Sequence, residues 1–530
     1  MTTMVMKRLC SEGTTTSAGF LVLFLLAHIR HVGADASQFS DSKVGIGSIG
    51  ILTGQIFVPS ATPTATPTTT GSSADPSGSP SITTLIPSAS PTATASSQSP
   101  TSAESSSPTN VSSSQPSRSP MTSTAPAAIL SLDPTDAGPL DVLYRPGELT
   151  VEENGLLLSQ GLRSRIVAKS NQRVQYADGS QSTDVFHARP DAGACHEDTR
   201  PDNPGGWVYV SNSEMPNNGE GGVGAITFDK DGNILDYQMV LTGTTMNCGG
   251  GSTPWGTWVS CEEDFQNGEG VGQIYQVDPT GRQPSQRTSV GEGGGRFESF
   301  TYDVRDRSNP RFFASEDRLR GALRRFTPEN PNWDDPWTML HGAGTLDYLM
   351  LRPTGNGQGE FWWGNDLFQS QLNAKLYYPE SEGIDVDDNS LYIVCKRIKS
   401  MFILDLDAMT YRNFTTTHGV FDGAPDQVSR VLGDSSSDDD ILYFTEEGGR
   451  SAGIHGRNPR GQFFTVLEGP TYRQETTGIS FSPDGHRLYV AFQDDGILFE
   501  VMRVDNLPFF GRTLNVKYHN AAMSNDPSED

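Results

Sequence analysis

The sequence predicts an all-β protein whose folded domain is a six-bladed β-propeller. The prediction rests on a strand pattern that recurs from residue 185 onward, on the near absence of helical periodicity there, and on the composition of the preceding segments. Units of three or four short strands that repeat about every fifty residues are typical of propeller blades. A signal peptide and a disordered stalk rich in Ser, Thr and Pro are predicted to precede the propeller.

Residues 1–36 have the pattern of a signal peptide. Lys7 and Arg8 precede the apolar run AGFLVLFLLA at 18–27, and ADA at 34–36 supplies the small residues of a cleavage site. This apolar run is too short to span a bilayer, so the sequence predicts a secreted protein, with the cell surface as another possible location and no membrane span after cleavage. A short signal-anchor that stays uncleaved is the alternative.

Residues 37–126 are predicted to be a disordered stalk. From residue 59 onward this segment is almost entirely Ser, Thr, Pro and Ala, as in PSATPTATPTTTGSSADPSGSP. Such a composition cannot bury enough apolar surface to offset the entropy lost when a backbone is ordered. The stalk is a candidate for O-glycosylation, and Asn110 in it and Asn413 in the domain begin sequons for N-linked sugar.

The folded domain is predicted to span residues 127–515, with a flexible tail at 516–530. Six strand segments in it end on polar or acidic residues, and each is followed by a partner strand. The segments are GWVYVSNSE (206–214), GTWVSCEED (256–264), RFFASED (311–317), LYIVCKR (391–397), ILYFTEE (441–447) and LYVAFQDD (488–495). An insertion near 330–380 carries a predicted short helix at 365–374 and four tryptophans, Trp333, Trp337, Trp362 and Trp363. These tryptophans either pack in the core or line a substrate cleft.

The net charge of the chain, −26, belongs to residues 127–530, because acidic and basic residues cancel before residue 127. A domain that acidic repels nucleic acid and anionic membranes unless it binds cations first. Many of its carboxylates stand at the junctions of the repeating units, where a propeller would bring them to one mouth of its central channel. So many carboxylates around one axis require cations, and their oxygens suit calcium or another oxygen-preferring metal. Solvated rim charges are the alternative for any single one. The acids are Glu214, Glu262, Glu263, Glu298, Glu316, Asp317, Glu382, Glu446, Glu447 and Glu475.

The domain contains four cysteines. In an oxidising compartment they predict one or two disulfides, with Cys195 joined to Cys395 or to Cys261. Cys248 lies in NCGGGSTPWG, where glycines allow the backbone to approach another group closely. A thiolate beside carboxylates would favour iron or zinc over calcium alone, and a structural thiol or a disulfide is the alternative for this residue.

Four segments resemble the PhoX-type family of secreted alkaline phosphatases. They are NCGGGSTPWGTWVSCEE, GGGRFESFTYD, SEGIDVD and ETTGISFSPDGHRLYVAFQDDG, and the likeness extends over residues 155–505. The resemblance implies a six-bladed propeller that carries two irons and three calciums and hydrolyses phosphate monoesters. The family's metal ligands correspond here to Cys248, Glu263, Glu298, Asp317 and Glu382.

The sequence departs from the family at two places. Asn212-Ser-Glu214 stands where members often carry Asn-His-Glu, and Phe297-Glu298 stands where they carry His-Glu, so histidines that support the ligands are missing. The predicted metal ligands also include Asn212, Glu214 and Glu447. An arginine is expected to neutralise the transition state, and the candidates are Arg325, Arg397 and Arg450, with Arg457 near the last.

The sequence as a whole predicts a secreted, monomeric, metal-dependent phosphomonoesterase that uses iron and calcium on a small phosphorylated substrate. Two alternatives are a calcium-dependent lactonase or esterase on a similar propeller, and a non-catalytic extracellular binding propeller. Nucleotide hydrolysis, serine hydrolysis and zinc-finger functions lack support, because the chain has no Walker-type loop, nucleophile elbow, HExxH or paired CxxC motif.

Overall fold

The structure is a computed structural model that describes residues 144–266, 269–416, 421, 423–431, 441–472, 475–509 and 514–519. The predicted signal peptide (1–36) and stalk (37–126) lie outside the described residues. The described part is all-β, as predicted, apart from one α-helix and short turns. It lies within one compact unit, Thr122–Asp530.

Six strands precede the repeating units of the domain. They are β1 (Arg145–Pro146), β2 (Leu149–Glu153), β3 (Leu156–Ser159), β4 (Leu162–Lys169), β5 (Arg173–Gln175) and β6 (Gln181–Val185). The pairs β2 and β3, and β5 and β6, are antiparallel, and β3 also pairs with a strand of the fifth unit.

The first three repeating units are antiparallel and take four strands each. Unit 1 comprises β7 (Pro190–Glu197), β8 (Trp207–Ser213), β9 (Gly221–Phe228) and β10 (Ile234–Thr244). Unit 2 comprises β11 (Asn247–Ser252), β12 (Trp258–Glu262), β15 (Ile274–Val277) and β16 (Gln286–Arg287), with the small pair β13 (Phe265–Gln266) and β14 (Glu269–Gly270) between β12 and β15. Unit 3 comprises β17 (Phe297–Asp303), β18 (Arg311–Glu316), β19 (Arg324–Pro328) and β20 (Gly344–Gly355).

The last three units follow an extra strand, β21 (Gln358–Gly364). Unit 4 comprises β22 (Ser381–Asp387), β23 (Ser390–Cys395), β24 (Ser400–Asp405) and β25 (Thr410–Thr415). Unit 5 comprises β26 (Ala424–Val431), β27 (Ile441–Glu447), β28 (Gly453–Arg457) and β29 (Phe463–Glu468). Unit 6 comprises β30 (Thr476–Phe481), β31 (Arg487–Phe492) and β32 (Ile497–Arg503), and β4 pairs with β32 as its fourth strand. The final strand, β33 (Asn515–Tyr518), pairs with β1 and β29.

The units are arranged around a central space. The first strand of each unit contacts the first strand of the next, and β30 of unit 6 contacts β7 of unit 1. A cavity of about 450 Å³ is lined by residues from all six first strands, among them Ala194, Gly251, Thr301, Val386, Ser429 and Phe481. The described architecture is therefore propeller-like.

The second strands are the most apolar because each lies in a sheet that is covered on both faces. Every residue of WVYVSNS in β8 and of WVSCE in β12 is buried. The apolar side chains form several separate cores, and the largest joins β3, β4 and β33 to units 5 and 6. The start and the end of the described chain therefore belong to the same core.

The insertion extends two sheets rather than standing apart from them. β21 pairs with β20 of unit 3 and with β25 of unit 4, which joins the two units into one nine-stranded sheet. The predicted helix at 365–374 is observed as α1 (Leu367–Tyr377), and its N-cap Asp366 accepts a hydrogen bond of 3.1 Å from the Gln369 amide. Trp333 and Trp363 pack against buried cores, whereas Trp362 is 43% exposed.

Three sequence predictions about the domain are corrected by the structure. The predicted disulfides are wrong, because Cys195, Cys248, Cys261 and Cys395 are free. Cys195, Cys261 and Cys395 pack against three different cores, so none lies beside another. The strand after ILYFTEE is β28, which stands between β27 and the predicted partner GQFFTVLEG. Residues 516–518 lie in β33, so the prediction of a flexible tail from residue 516 is wrong for them.

Candidate metal centre

The first strand of every unit is irregular close to its start. The register shifts just after the first paired residues in all six units, which is the pattern of a β-bulge. Bulges re-aim side chains and are common beside functional sites. In units 1 to 5 the first unpaired residues of the bulges are Asp191, Cys248, Glu298, Glu382 and Asp426. In unit 6, Thr477 is the last residue paired before the shift and precedes Gly478, as Glu382 precedes Gly383. These six residues form the first-strand set.

A second set of residues follows the ends of the six second strands. In five units the residue stands one position after the partner of the first residue of the first strand, as Glu263 does after the pair of Asn247 with Glu262. In unit 5, Glu447 itself pairs with the first residue, Ala424, and follows Glu446, which pairs with Pro425. These residues form the second-strand set: Glu214, Glu263, Asp317, Lys396, Glu447 and Gln493. Because neighbouring antiparallel strands align these positions, both sets lie at the same ends of the sheets.

Side chains from the two sets meet in three groups that could each hold a metal ion. The groups are Asp191 with Glu214 and Cys248, Cys248 with Glu263 and Glu298, and Glu298 with Glu382 and Asp426. Within each group the candidate ligand atoms lie within 4.8 Å of one another. Cys248 and Glu298 are shared between groups, so the three groups form one continuous donor cluster. All of its members are buried except Glu214 and Cys248, which are partly buried.

Burial dominates the electrostatics of this cluster. It raises the pKa of Cys248, Asp191 and Glu298 well above their ordinary values, and the neighbouring acids raise these pKa values further. The pKa of Glu263 is raised to about 8 and that of Asp426 to about 7, again chiefly by burial. Protons or cations must therefore compensate these groups at neutral pH, and cation binding would displace the protons.

The donor atoms fit metal ions. Within the described residues, Glu298 Oε1 is buried and has no hydrogen-bond partner. Such an oxygen is costly in a protein interior unless a cation or a donor satisfies it. The remaining donors are carboxylate oxygens and one thiol sulfur, which suit a hard cation such as calcium and, beside Cys248, a softer one such as iron.

Comparison with known proteins agrees with the resemblance seen in the sequence. Residues 230–365 match the family model described as alkaline phosphatase PhoX, and this segment contains Cys248, Glu263, Glu298 and Asp317. This segment is thus similar to PhoX alkaline phosphatases. None of the curated protein sequences matches the chain at a significant level.

Solved structures similar to this chain include that of Pseudomonas fluorescens PhoX in complex with vanadate, a transition state analogue. It is 14% identical, with a TM-score of 0.53, and the match covers 67% of this chain and 97% of that one. An auxiliary nutrient binding protein from Bacteroides ovatus is 13% identical, with a TM-score of 0.38, over 64% of this chain and 76% of that one. A putative 6-phosphogluconolactonase from Bacteroides uniformis is 12% identical, with a TM-score of 0.37, over 67% of this chain and 95% of that one.

The structure places the predicted metal ligands in two groups. Glu214, Cys248, Glu263, Glu298 and Glu382 all belong to the donor cluster. Asp317 and Glu447 belong to the second-strand set but are paired with Lys396, whose Nζ lies 2.8 Å from a carboxylate oxygen of each. Glu475 is partly exposed, and burial raises its pKa well above the ordinary value.

Asn212 supports the cluster through the backbone. Its Nδ2 donates to the carbonyls of Cys248 and Gly249, at 2.8 and 2.7 Å. Its Oδ1 accepts hydrogen bonds of 2.9 Å from Trp258 Nε1 and Ser260 Oγ. The amide therefore holds the bulge that carries the Cys248 thiol.

The acids one position before three members of the second-strand set make hydrogen bonds and ion pairs within the sheets instead. Glu262 accepts from the amides of Thr245 and Gln273, Glu316 pairs with Arg324 at 3.2 Å, and Glu446 accepts from His455 Nε2 at 3.0 Å. Successive side chains of a strand point to opposite sides, so only one acid of each adjacent pair can face the site.

Two of the three predicted arginines pair with acids outside the cluster. Arg325 pairs with Asp347 at 2.7 Å and covers the Trp363 ring, and Arg397 pairs with Glu380 at 2.9 Å. Arg450 is exposed in the turn after β27. Among the described residues, basic side chains that pair with acids of the second-strand set include Arg189, with Glu214 at 2.6 Å, Arg296, with Glu263, and Lys396, with Asp317 at 2.8 Å.

Sequence reasoning missed Asp191 and Asp426 as well as these basic residues. The sequence at the bulges contains a pattern that could have identified Asp191 and Asp426. Four of the first-strand donors are followed by a small residue, as in Asp191-Ala192, Cys248-Gly249, Glu298-Ser299 and Glu382-Gly383, and PDAGA and APDQV occupy the same register. Aligning the units by the first strand rather than the second would have revealed both acids.

Proposed function

We propose that the protein is a secreted, metal-dependent phosphomonoesterase of the alkaline phosphatase type on a six-bladed propeller. The observation that carries this proposal is the continuous donor cluster, in which Cys248 and Glu298 each belong to two groups of potential ligands. Shared ligands favour several ions close together, and adjacent metal ions suit phosphoryl transfer because they hold both the nucleophile and the phosphate oxygens.

Iron and calcium are the proposed metals. Cys248, Glu263 and Glu298 combine a thiol with two carboxylates and would hold the iron. The group of Glu298, Glu382 and Asp426 offers oxygen donors alone and would hold calcium. When bound, these ions supply Lewis-acid charge that polarises a phosphate ester and attracts an anion to an otherwise acidic domain.

The side chains around the metals have separate tasks in the proposed reaction. Arg296 is the best-placed cation for a phosphate oxygen, because its Nε is buried and has no hydrogen-bond partner among the described residues. Arg189 uses its guanidinium nitrogens on Glu214, Gln493 and Asp494, so it orients Glu214 rather than binding substrate. Asn212 fixes the Cys248 backbone.

Secretion remains part of the proposal. It rests on residues 1–36, which lie outside the described part of the structure. Among the described residues, no helix is long and apolar enough to cross a membrane. The amino-terminal sequence of the mature protein, with cleavage expected after Ala36, tests it.

The function is tested by measuring bound metals and the hydrolysis of p-nitrophenyl phosphate on the purified protein. Iron and calcium should co-purify, and chelation should abolish activity. Cys248→Ala should lower activity at least about 100-fold, because loss of a ligand lowers metal affinity more than loss of a supporting hydrogen bond does. Cys395→Ala, which removes a buried thiol that packs in a core, is the matched control and should keep the bound metals.

Other outcomes identify the two alternatives. A calcium-dependent lactonase would lose activity on chelation but would contain no iron and would tolerate Cys248→Ala. A non-catalytic binding propeller would hydrolyse neither p-nitrophenyl phosphate nor a lactone. It would fold and bind its partner without Cys248. A folded protein that holds neither metal would overturn the proposed function.

A further inference from the structure

Lys396 is the only cation in the second-strand set. It stands directly after β23, at the position that Glu214, Glu263, Asp317 and Glu447 hold in other units. Its Nζ lies 2.8 Å from Asp317 Oδ2, 2.8 Å from Glu447 Oε2 and 3.1 Å from Glu382 Oε1. Its side chain is 23% exposed. One ammonium therefore stands among three carboxylates that come from three different units.

The backbone around Lys396 holds this side chain in place. The Lys396 amide donates to the Glu380 carbonyl at 3.1 Å, and its carbonyl accepts from the Lys399 amide at 3.2 Å in the tight turn between β23 and β24. Both backbone groups are therefore used, and the turn fixes the direction in which the side chain leaves the strand. Arg397, the next residue, points elsewhere and pairs with Glu380.

Of the three acids around Lys396, only Glu382 belongs to a metal-ligand group. Asp317 and Glu447 belong to none of these groups, although both stand in register with Glu263 and Glu214. An ammonium has three N–H donors, and here three carboxylate oxygens surround it. Glu382 Oε1 lies 3.1 Å from the ammonium without a hydrogen bond to it, whereas Asp317 and Glu447 are its nearest partners. The charge of Lys396 is therefore directed at carboxylates of the site, and its role is that of a counter-ion.

We propose that Lys396 is a built-in cation that takes the place of one divalent ion among Asp317, Glu382 and Glu447. The inference rests on the proposed function only in that it concerns the same metal centre. Removing the ammonium would leave three carboxylates facing one another, and their mutual repulsion would then favour the binding of an additional divalent ion. Wild-type protein should therefore bind one ion fewer than a variant with an uncharged residue at this position.

The test compares metal content between variants of the full chain. Wild type, Lys396→Met and Arg397→Met are saturated with Ca²⁺ and Fe²⁺, desalted and analysed by inductively coupled plasma mass spectrometry, with folding checked by circular dichroism. Lys396→Met is expected to hold one more divalent ion per chain than wild type. Arg397→Met removes the neighbouring cation and should leave the ion count unchanged. An equal count in folded Lys396→Met and wild type overturns the inference.

A second measurement needs no variant and covers the case in which Lys396→Met does not fold. Wild-type protein is treated with an amine-modifying reagent, before and after metal loading, and modified lysines are found by mass spectrometry. Lys396 should be protected in both states, whereas Lys230, whose side chain is 67% exposed, should react in both. Modification of Lys396 only after metal loading would mean that metal displaces it, and would overturn the inference.

The two proposals fail in different ways. The phosphomonoesterase proposal fails if the wild-type protein does not hydrolyse p-nitrophenyl phosphate or contains no iron. The role of Lys396 is judged by the difference in ion count between two proteins and by the reactivity of one amine, and neither depends on turnover.

Discussion

Asn212 shows how one residue can matter to a metal site without binding metal. Its amide makes four hydrogen bonds, to the carbonyls of Cys248 and Gly249, to Trp258 Nε1 and to Ser260 Oγ. All four partners are inside the domain, and the Asn212 side chain is fully buried. The residue was predicted as a metal ligand, and its hydrogen bonds instead favour a role in positioning the bulge.

The two roles of Asn212 make different predictions for the metal-free protein. Asn212→Ala should lower the free energy of unfolding by about 3 kcal/mol even without metal, because a buried polar group left unsatisfied costs about 1–3 kcal/mol and several would be left. Urea unfolding of the chelated protein measures this. Asn217→Ala is the control, since Asn217 is exposed and donates only to Glu220 among the described contacts. If Asn212→Ala alters metal binding but leaves chelated stability unchanged, the residue is a ligand.

At the scale of single strands, the glycines beside Cys248 explain how two units approach each other. A Cβ on Gly249 would lie 1.5 Å from the Glu298 carbonyl oxygen, and one on Gly251 would lie 1.9 Å from the Phe300 carbonyl oxygen. Both oxygens belong to β17, the first strand of the next unit. The bare backbone of β11 thus lets two first strands pack side by side, which brings Cys248 to Glu298.

Gly249→Ala is therefore expected to be severely destabilising. The added methyl group would collide with backbone atoms, which cannot move as a flexible side chain does, so we expect a cost of about 3 kcal/mol or more and loss of bound metal. Thermal unfolding and metal analysis measure the two effects. Gly342→Ala is the matched control, because the nearest atom to its Cβ would be 3.9 Å away. Equal melting temperatures for the two variants would contradict this account of the glycines.

The sequence predicted the positions of the strands better than it predicted the β-bulges within them. The six segments that locate the second strands were found because buried strands are continuous apolar runs, as in WVYV and ILYF. β28 was missed because GIHGR has little apolar character, although its neighbours bury it. The bulges could not be foreseen, because a register shift depends on pairing between strands rather than on local sequence.

The candidate site was predicted in part for the same reason. Cys248 and Glu298 lie on first strands, but they were identified through a family resemblance rather than through their register. Asp191 and Asp426 have no such motif and were missed. Among adjacent residues the sequence could not tell which one faces inward: Lys396 pairs with three acids of the site, whereas Arg397, which was predicted, pairs with Glu380.

At the scale of the whole molecule, the ends of the described chain close the structure. β4 forms seven paired positions with β32 and completes unit 6, while β1 and β33 extend unit 5. Strands far apart in sequence thus share one core, so the domain is expected to unfold as a whole. The net charge of −26 after residue 126 also produces repulsion among the acidic side chains, which bound cations and Lys396 would reduce.

Buried histidines should make this whole-domain stability depend on pH. Burial lowers the pKa of His196 to about 4, and its Nε2 has no hydrogen-bond partner among the described residues. The pKa of His187 is lowered to about 3 and that of His519 to about 4, also chiefly by burial. Because the folded pKa lies below the unfolded value of about 6.5, each neutral ring contributes its full stability above pH 6.5. That contribution is lost as the pH falls from 6.5 toward 4.

His196→Gln isolates one of these contributions. Protonation of a single buried histidine costs up to about 1.4 kcal/mol per pH unit, so His196 should account for about 3 kcal/mol of lost stability between pH 6.5 and 4. Urea midpoints of wild type and variant are compared at pH 8, 6 and 5 in chelated protein, and the difference between the two should shift in favour of the variant as pH falls. His486→Gln, which removes a histidine with a side chain 41% exposed, is the control. A difference between wild type and His196→Gln that stays constant from pH 8 to 5 would mean that the buried ring does not resist protonation, and acid sensitivity would then have to come from other groups.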